Sequence, residues 1–307
     1  MHSRPPASAY AAAVGMTVAF GLSFVATKYA LRGFEPLLLA LLRFALAGGI
    51  LWVVWRARRG PERVSRGELG RLALLGFVSL TVYFSFENLG IARTSASEAA
   101  ILIATIPLFV IILNTFTLRE RTTARQWAGI ALSFAGIAAL VLLGGGGAGG
   151  SSAGGSSLAG SLLVLAASLS AAVYSILARR LLVSRPALFV TTFQNLFGAL
   201  FMLPLALAEA ALVGVRHPTL SAAGGVLFLT VVCSITAYLL LNYAFRFIAA
   251  SGVAVFINLT PIVAVASAYV LLGERFTPGQ ALAAAVVVAG VWVTNSGGGA
   301  VRSPSAG

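Results

Sequence analysis

Apolar runs of about twenty residues, each closed by a short polar or glycine-containing gap, recur along the whole chain. Reading the runs between breakers predicts ten helices, at 8–30, 35–56, 69–90, 95–118, 125–143, 158–180, 186–208, 222–246, 250–273 and 279–296. A helix that crosses the hydrocarbon core needs about 20 mostly apolar residues, and these runs meet that length. Polar positions inside them are few and spaced. Ser79, Tyr83 and Glu87 follow one another at four-residue intervals in the third helix, as do Ser234, Tyr238 and Asn242 in the eighth. Each trio therefore shares one helix face, and a polar face turned to lipid would leave its groups unpaired.

Composition agrees with the pattern. Of the 307 residues 59% are hydrophobic and 9% charged, with a mean hydropathy of +0.97, against about 25% charged in soluble domains. The fold class expected is all-α integral membrane, with ten transmembrane helices. The net charge of +13, from 21 Lys and Arg against 8 acids, sits in the gaps between apolar runs. Nucleic-acid binders gather such charge on a soluble face, so that partner is excluded. An N-terminus on the inside places fifteen arginines on the cytoplasmic side and six basic residues outside or in the outer half: Lys28, Arg32, Arg43, Arg93, Arg216 and Arg275. That bias predicts a multi-pass protein of the cell (inner) membrane with both termini cytoplasmic, and it suits anionic lipid. The opening MHSRPPASAY carries no cleavage site before the first run, which reads as an uncleaved helix. A single cysteine, Cys233, excludes an internal disulfide and a thiolate metal site, and no cofactor motif is present.

The Gly/Ser stretch at 144–157 reads as a linker between a first unit, 1–143, and a second, 158–296, with a flexible tail at 297–307. Sliding one half on the other by 154 residues pairs 88–136 with 242–290 without gaps, and fourteen of the 49 positions are identical. Among them are Pro107/Pro261, Glu120/Glu274, Arg121/Arg275, Thr123/Thr277, Gln126/Gln280 and Gly136/Gly290. Shared Ala and Leu weigh little in so apolar a chain. The Glu-Arg-x-Thr-x-x-Gln motif, thirteen residues after a proline in both copies, weighs much more. Five helices per half is odd, so the second copy enters the bilayer from the opposite side, and two inverted five-helix repeats are expected. Secondary transporters are built this way, with the substrate site near the midplane between the halves.

The run FGLSFVATKYAL followed by PLLLALLRF, and the paired segments IPLFVIILNTFTLRERTT and TPIVAVASAYVLLGERFT, resemble the EamA-type drug/metabolite transporters over nearly the whole chain. The first helix has Phe20-Gly21-Leu22-Ser23 where that family often has Trp-Gly-Ser. The resemblance implies a central cavity lined by helices 1–4 and 6–9, with 5 and 10 peripheral, and transport of small metabolites, frequently export of amino acids.

An ionisable group at the bilayer centre costs about 2.5–3.5 kcal/mol and needs a partner or a function. Arg43, Glu87 and Glu98 are the candidates for gating or coupling and are expected to meet in the outer half; a structural ion pair locking helices 2, 3 and 4 is the competing reading. Tyr83, Glu87, Tyr238 and Asn242 are candidate substrate contacts, alongside Gln194 and Asn195 in helix 7, Tyr174 in helix 6 and Asn258 before Pro261. Interhelical hydrogen bonding is the plainer account of the same residues. Pro107 and Pro261 predict kinks that free a backbone carbonyl. Trp52, Trp55, Trp127 and Trp292 read as interface anchors, and the Glu-Arg pairs as shapers of helix ends that also stand open to a gating role.

The function expected is alternating-access transport of a small metabolite across the lipid bilayer, with export of amino acids or related compounds the cargo that the resemblance implies. Other cargoes, such as a vitamin, nucleobase or drug, and a non-transporting scaffold are the alternatives. An intramembrane enzyme would need a nucleophile–base pair, whereas the chain has no Asp and no histidine within a run. Helices 5 and 10 offer a face for a homodimer, which nothing in the sequence requires.

Overall fold

The structure is a computed structural model that describes residues 6–58, 64–117, 122–144, 157–182, 185–245, 247–248 and 256–296. Residues 145–156 of the expected linker at 144–157, the tail at 297–307, and Glu120 and Arg121 lie outside the described residues, as does the side chain of Asn242.

Every described element is a helix. They are α1 (Ala7–Ala30), α2 (Pro36–Arg58), α3 (Arg66–Gly76 continuing through Phe77–Val82 to Tyr83–Ile91), α4 (Ala96–Ile103 and Ile106–Thr117) and α5 (Ala124–Gly144). The second half holds α6 (Leu158–Leu182), α7 (Ala187–Val213), α8 (Leu220–Phe228, Leu229–Ala237 and Tyr238–Phe245), α9 (Thr260–Leu272) and α10 (Pro278–Ser296). Among the described residues all but α9 are long and apolar enough to cross a membrane.

The helix starts follow from local chemistry. Ser65, Ser95 and Thr219 accept the amide of the third residue of α3, α4 and α8, taking up donors that a helix N-terminus leaves free. The duplicated Thr-x-x-Gln is a pair of reciprocal capping boxes. Thr123 N–H donates to Gln126 Oε1 at 2.9 Å and Gln126 N–H to Thr123 Oγ1 at 3.3 Å; at α10 the same bonds join Thr277 and Gln280, at 2.9 and 3.2 Å. The motif glutamate has a different task. Glu274 reaches back to α4, where Oε1 accepts from Ala96 N–H at 2.8 Å and Oε2 from Ser97 N–H at 2.9 Å and Ser97 Oγ at 2.7 Å. A carboxylate there answers both the free amides and the positive end of the helix dipole. Glu209 of α7 does likewise for α2, accepting from Leu37 and Leu38 N–H at 2.8 and 3.1 Å.

A break precedes each proline, at 104–105 and at 258–259. α4 breaks at Ala104–Thr105, and Pro107 then occupies the first turn of the following segment. Pro261 likewise lies in the first turn of α9 rather than inside a longer helix. A first-turn amide has no intrahelical acceptor, so proline loses nothing there.

α2 lies along α7 and α5 along α10; α1 packs on α8 and α9, α3 on α6 and α7, and α4 on α6 and α9. The α5–α10 seam is the tightest. A Cβ on Gly290 would stand 2.3 Å from Ser133 Oγ and one on Gly129 2.3 Å from Thr294 Oγ1, so only glycine lets the two backbones approach so closely. Ser133 Oγ donates across the seam to the Val287 carbonyl at 3.1 Å.

In the interior of both α3 and α8 the helix widens to π geometry, over Phe77–Val82 and Leu229–Ala237. Such stretches are rare and collect at functional sites. The Val78 carbonyl within the first accepts from Ser170 Oγ of α6 at 2.8 Å.

Candidate functional site

The two widened stretches carry Ser79 and Ser234, and both serines face polar residues of other helices. Arg43, buried in α2, donates from Nε to Ser234 Oγ at 2.7 Å. Its guanidinium carbon stands 4.6 Å from the centroid of Phe84 and 5.4 Å from that of Phe44, close enough for the ring faces to stabilise the charge. Gln194 of α7 donates from Nε2 to Ser79 Oγ, which passes its own proton to the Leu75 carbonyl at 2.6 Å. Asn195 donates from Nδ2 to the Thr191 carbonyl at 2.8 Å, while its buried Oδ1 has no hydrogen-bond partner among the described residues.

These groups enclose one cavity. Arg43 and Phe44 of α2, Leu80 and Phe84 of α3, Thr191, Gln194 and Asn195 of α7, and Ser234 and Tyr238 of α8 line it. Its volume is about 10 Å³, the room that a single water needs. Two helices from each half thus contribute, and the walls pair a buried cation and amides with aromatic rings, the mixture that orients a small polar ligand.

Several sequence-chosen residues lie elsewhere. Glu87 is buried beside the cavity wall and accepts from the Tyr83 hydroxyl at 2.8 Å, but neither residue lines the cavity. Tyr174 neighbours Gln194 and Tyr238 and packs with the aromatic cluster around Trp55. Asn258 is exposed in the turn before α9. The expected meeting of Arg43, Glu87 and Glu98 forms only in part: Glu87 lies within electrostatic reach of Arg43, with no ion pair between Arg43 and either carboxylate among the described residues. Glu98 instead accepts from Ser161 Oγ of α6 at 2.6 Å, because its place in the first turn of α4 points it at that helix. Trp55, expected at the interface, is 3% exposed and packs on Phe189 and Phe193.

Two ion pairs that the sequence did not single out close opposite ends of the bundle. Arg185, before α7, holds Glu68 at the start of α3 through Nε–Oε1 at 2.6 Å and Nη2–Oε2 at 2.8 Å. At the other end Arg216, before α8, holds Glu35 at the start of α2 at 2.7 Å and donates to the Leu31 carbonyl at 3.0 Å. Each pair joins the first half to the second. Their only sequence signal is position, an acid and a base in loops that the helix order brings to one side.

Comparison with known proteins accords with this architecture. The EamA-like transporter family matches residues 7–142 and again 158–296. A protein of Salmonella typhimurium named probable amino-acid metabolite efflux pump is 30% identical over 91% of each chain. A probable terminal-alkyne amino-acid exporter of Streptantibioticus cattleyicolor is 28% identical over 91% of this chain and 90% of that one. An uncharacterized transporter of Archaeoglobus fulgidus is 29% identical over 89% of this chain and 92% of its own length. A crystal structure superposes with a TM-score of 0.63 over 95% of this chain and 99% of the other, at 21% identity, a likeness of fold alone. With both halves matched, the chain belongs to the EamA-like transporter family.

Proposed function

We propose that the protein exports amino acids or closely related small metabolites by alternating access around the cavity between α2, α3, α7 and α8. The observation that carries the reading is the convergence of a buried arginine, an unpartnered amide oxygen and aromatic faces on one cavity built from both halves. A guanidinium is the preferred partner of a carboxylate, and the Asn195 oxygen can accept from an ammonium group. Two relatives bear the names of amino-acid efflux proteins, which fits that chemistry.

Packing supports the inverted repeat on which alternating access rests. Exchanging α1–α5 with α6–α10 turns the α1–α8 contact into α6–α3, α1–α9 into α6–α4 and α2–α8 into α7–α3, all present, and leaves α2–α7, α4–α9 and α5–α10 as self-pairs. Glu68–Arg185 and Glu35–Arg216 then act as alternate latches at the two ends, and with both closed the cavity has no room for a metabolite. Opening one end at a time exposes it to one side of the membrane. Glu87, held by Tyr83 and close to Arg43, is the coupling carboxylate in this scheme.

Counterflow in proteoliposomes tests the proposal. Purified protein loaded with single unlabelled amino acids is expected to draw in the labelled compound saturably for one class. Saturable exchange with another class of metabolite alone would transfer the same mechanism to that cargo. Silence across every class, from monodisperse folded protein, would refute transport at this site.

A further inference from the structure

A second and much larger concavity lies on the flank of the molecule, away from the cavity. It is a groove of about 790 Å³ between α9 and α10, with Ile101 of α4 as its floor and Ile262, Val265, Ala285 and Val288 among its walls. The walls run from Ala281 to Val288 on one side and from Pro261 to Tyr269 on the other, about 10–12 Å at the helical rise. Half a hydrocarbon core measures about 15 Å, so the groove has the reach of the upper part of one leaflet.

Its polar end is positively charged. Glu274 and Arg275 lie there, and both Glu274 oxygens are already taken by the N-terminus of α4. Arg275 is exposed and has no hydrogen-bond or ion-pair partner among the described residues. Lys28 lies within electrostatic reach of Glu274. Arg32 stacks 4.5 Å over the Tyr29 ring, whose hydroxyl donates to the Leu271 carbonyl at the end of α9 at 2.9 Å. Lys28 thus joins Arg275 beside a carboxylate that is committed elsewhere, and Arg32 stands by the same end of α9.

From this juxtaposition we infer that the groove binds one anionic phospholipid, an acyl chain between α9 and α10 and the phosphate of the headgroup on Arg275. Basic rims at the end of an apolar interhelical groove have the right chemistry for an acidic headgroup, and the bilayer in which the protein sits supplies the chain. A second copy of the protein fits less well. Packed by a two-fold on the same groove it would bring another Arg275 to the same level, with no uncommitted acid among the described residues of the lining to meet it.

The test uses the full-length protein, stripped of lipid in neutral detergent, then given phosphatidylglycerol or phosphatidylcholine of identical chains. Retained lipid is counted by native mass spectrometry, and the apparent melting temperature is followed in parallel. Phosphatidylglycerol is expected to be retained and to raise the melting temperature, and phosphatidylcholine to do so less. Arg275→Gln is expected to lower the preference for phosphatidylglycerol about fivefold, and Ala285→Trp, which fills the groove, to abolish retention of both. Val288→Trp serves the same purpose if Ala285→Trp fails to fold. Equal retention by wild type and the variants would overturn the proposal, as would a dimer that the groove-filling variant converts to monomer with its lipid count unchanged.

Discussion

Two places where one half of the molecule meets the other are built in opposite ways. Along α5 and α10 the backbones meet over Gly129, Ser133 and Gly290, with each nearby hydroxyl bonded to a carbonyl. Around α2, α3, α7 and α8 the contact holds a guanidinium, an amide oxygen without a hydrogen-bond partner among the described residues, and a gap one water wide. A seam without voids has one good arrangement, because close-packed interiors do not deform continuously. A polar cavity held by a few hydrogen bonds can be remade around a ligand. In the proposed scheme the first contact holds the halves together and the second receives the cargo.

Mutations that separate the two roles sharpen the contrast or break it. Arg43→Ala is expected to have the largest effect, lowering transport about 100-fold, since hydrogen bonds to charged groups contribute about 1.5–3 kcal/mol. Arg43→Lys should not restore it, because a lysine lacks the planar fork. Proteoliposome exchange measures both, with the melting temperature as the check on folding. At the seam, Gly290→Leu is expected to destabilise by about 3 kcal/mol through overpacking, read as a lower apparent melting temperature, while exchange per folded molecule stays near wild type. Normal stability in that variant would break the contrast.

Two smaller effects follow. Glu274→Ala removes the cap of α4 and should cost about 0.5–2 kcal/mol; Glu274→Gln, which keeps an acceptor, should recover part of it in the same melting experiment. Glu68→Gln weakens a partly exposed pair, worth at most about 1 kcal/mol, so a shift of a few-fold in accessibility from that end is expected. Thiol labelling of a cysteine placed in the cavity would report it. Glu35→Gln should shift accessibility from the opposite end, and identical shifts from both variants would remove the latch assignment.

Much of this was legible in the sequence. Nine spans and α9 follow from uninterrupted apolar runs, and Arg43, Gln194 and Asn195 drew notice because polar groups inside such runs are costly. Ser234 and Tyr238 stand out on helical spacing alone, while Thr191 joins the cavity only through the fold. Less could be read where a side chain's partner is distant in the chain. Glu274 and Glu209 look like helix-end residues until the fold brings the starts of α4 and α2 to them. Glu98 was expected to meet Arg43, but only the packing of α6 reveals Ser161 as its partner. The π stretches were hidden because i→i+5 bonding leaves no period in the sequence. The duplicated Glu-Arg-x-Thr-x-x-Gln was visible as a repeat, yet its division into a long-range cap and a local capping box required coordinates.

The central claim is that cargo binds in the cavity between the halves. Thr191→Cys in a Cys233→Ala background puts one thiol in that cavity, and its alkylation can be timed in proteoliposomes with reagent on either side. The account predicts labelling from each side, slowed by saturating concentrations of the compound the protein exchanges. Labelling at an unchanged rate in the presence of that compound, while exchange proceeds, would contradict it.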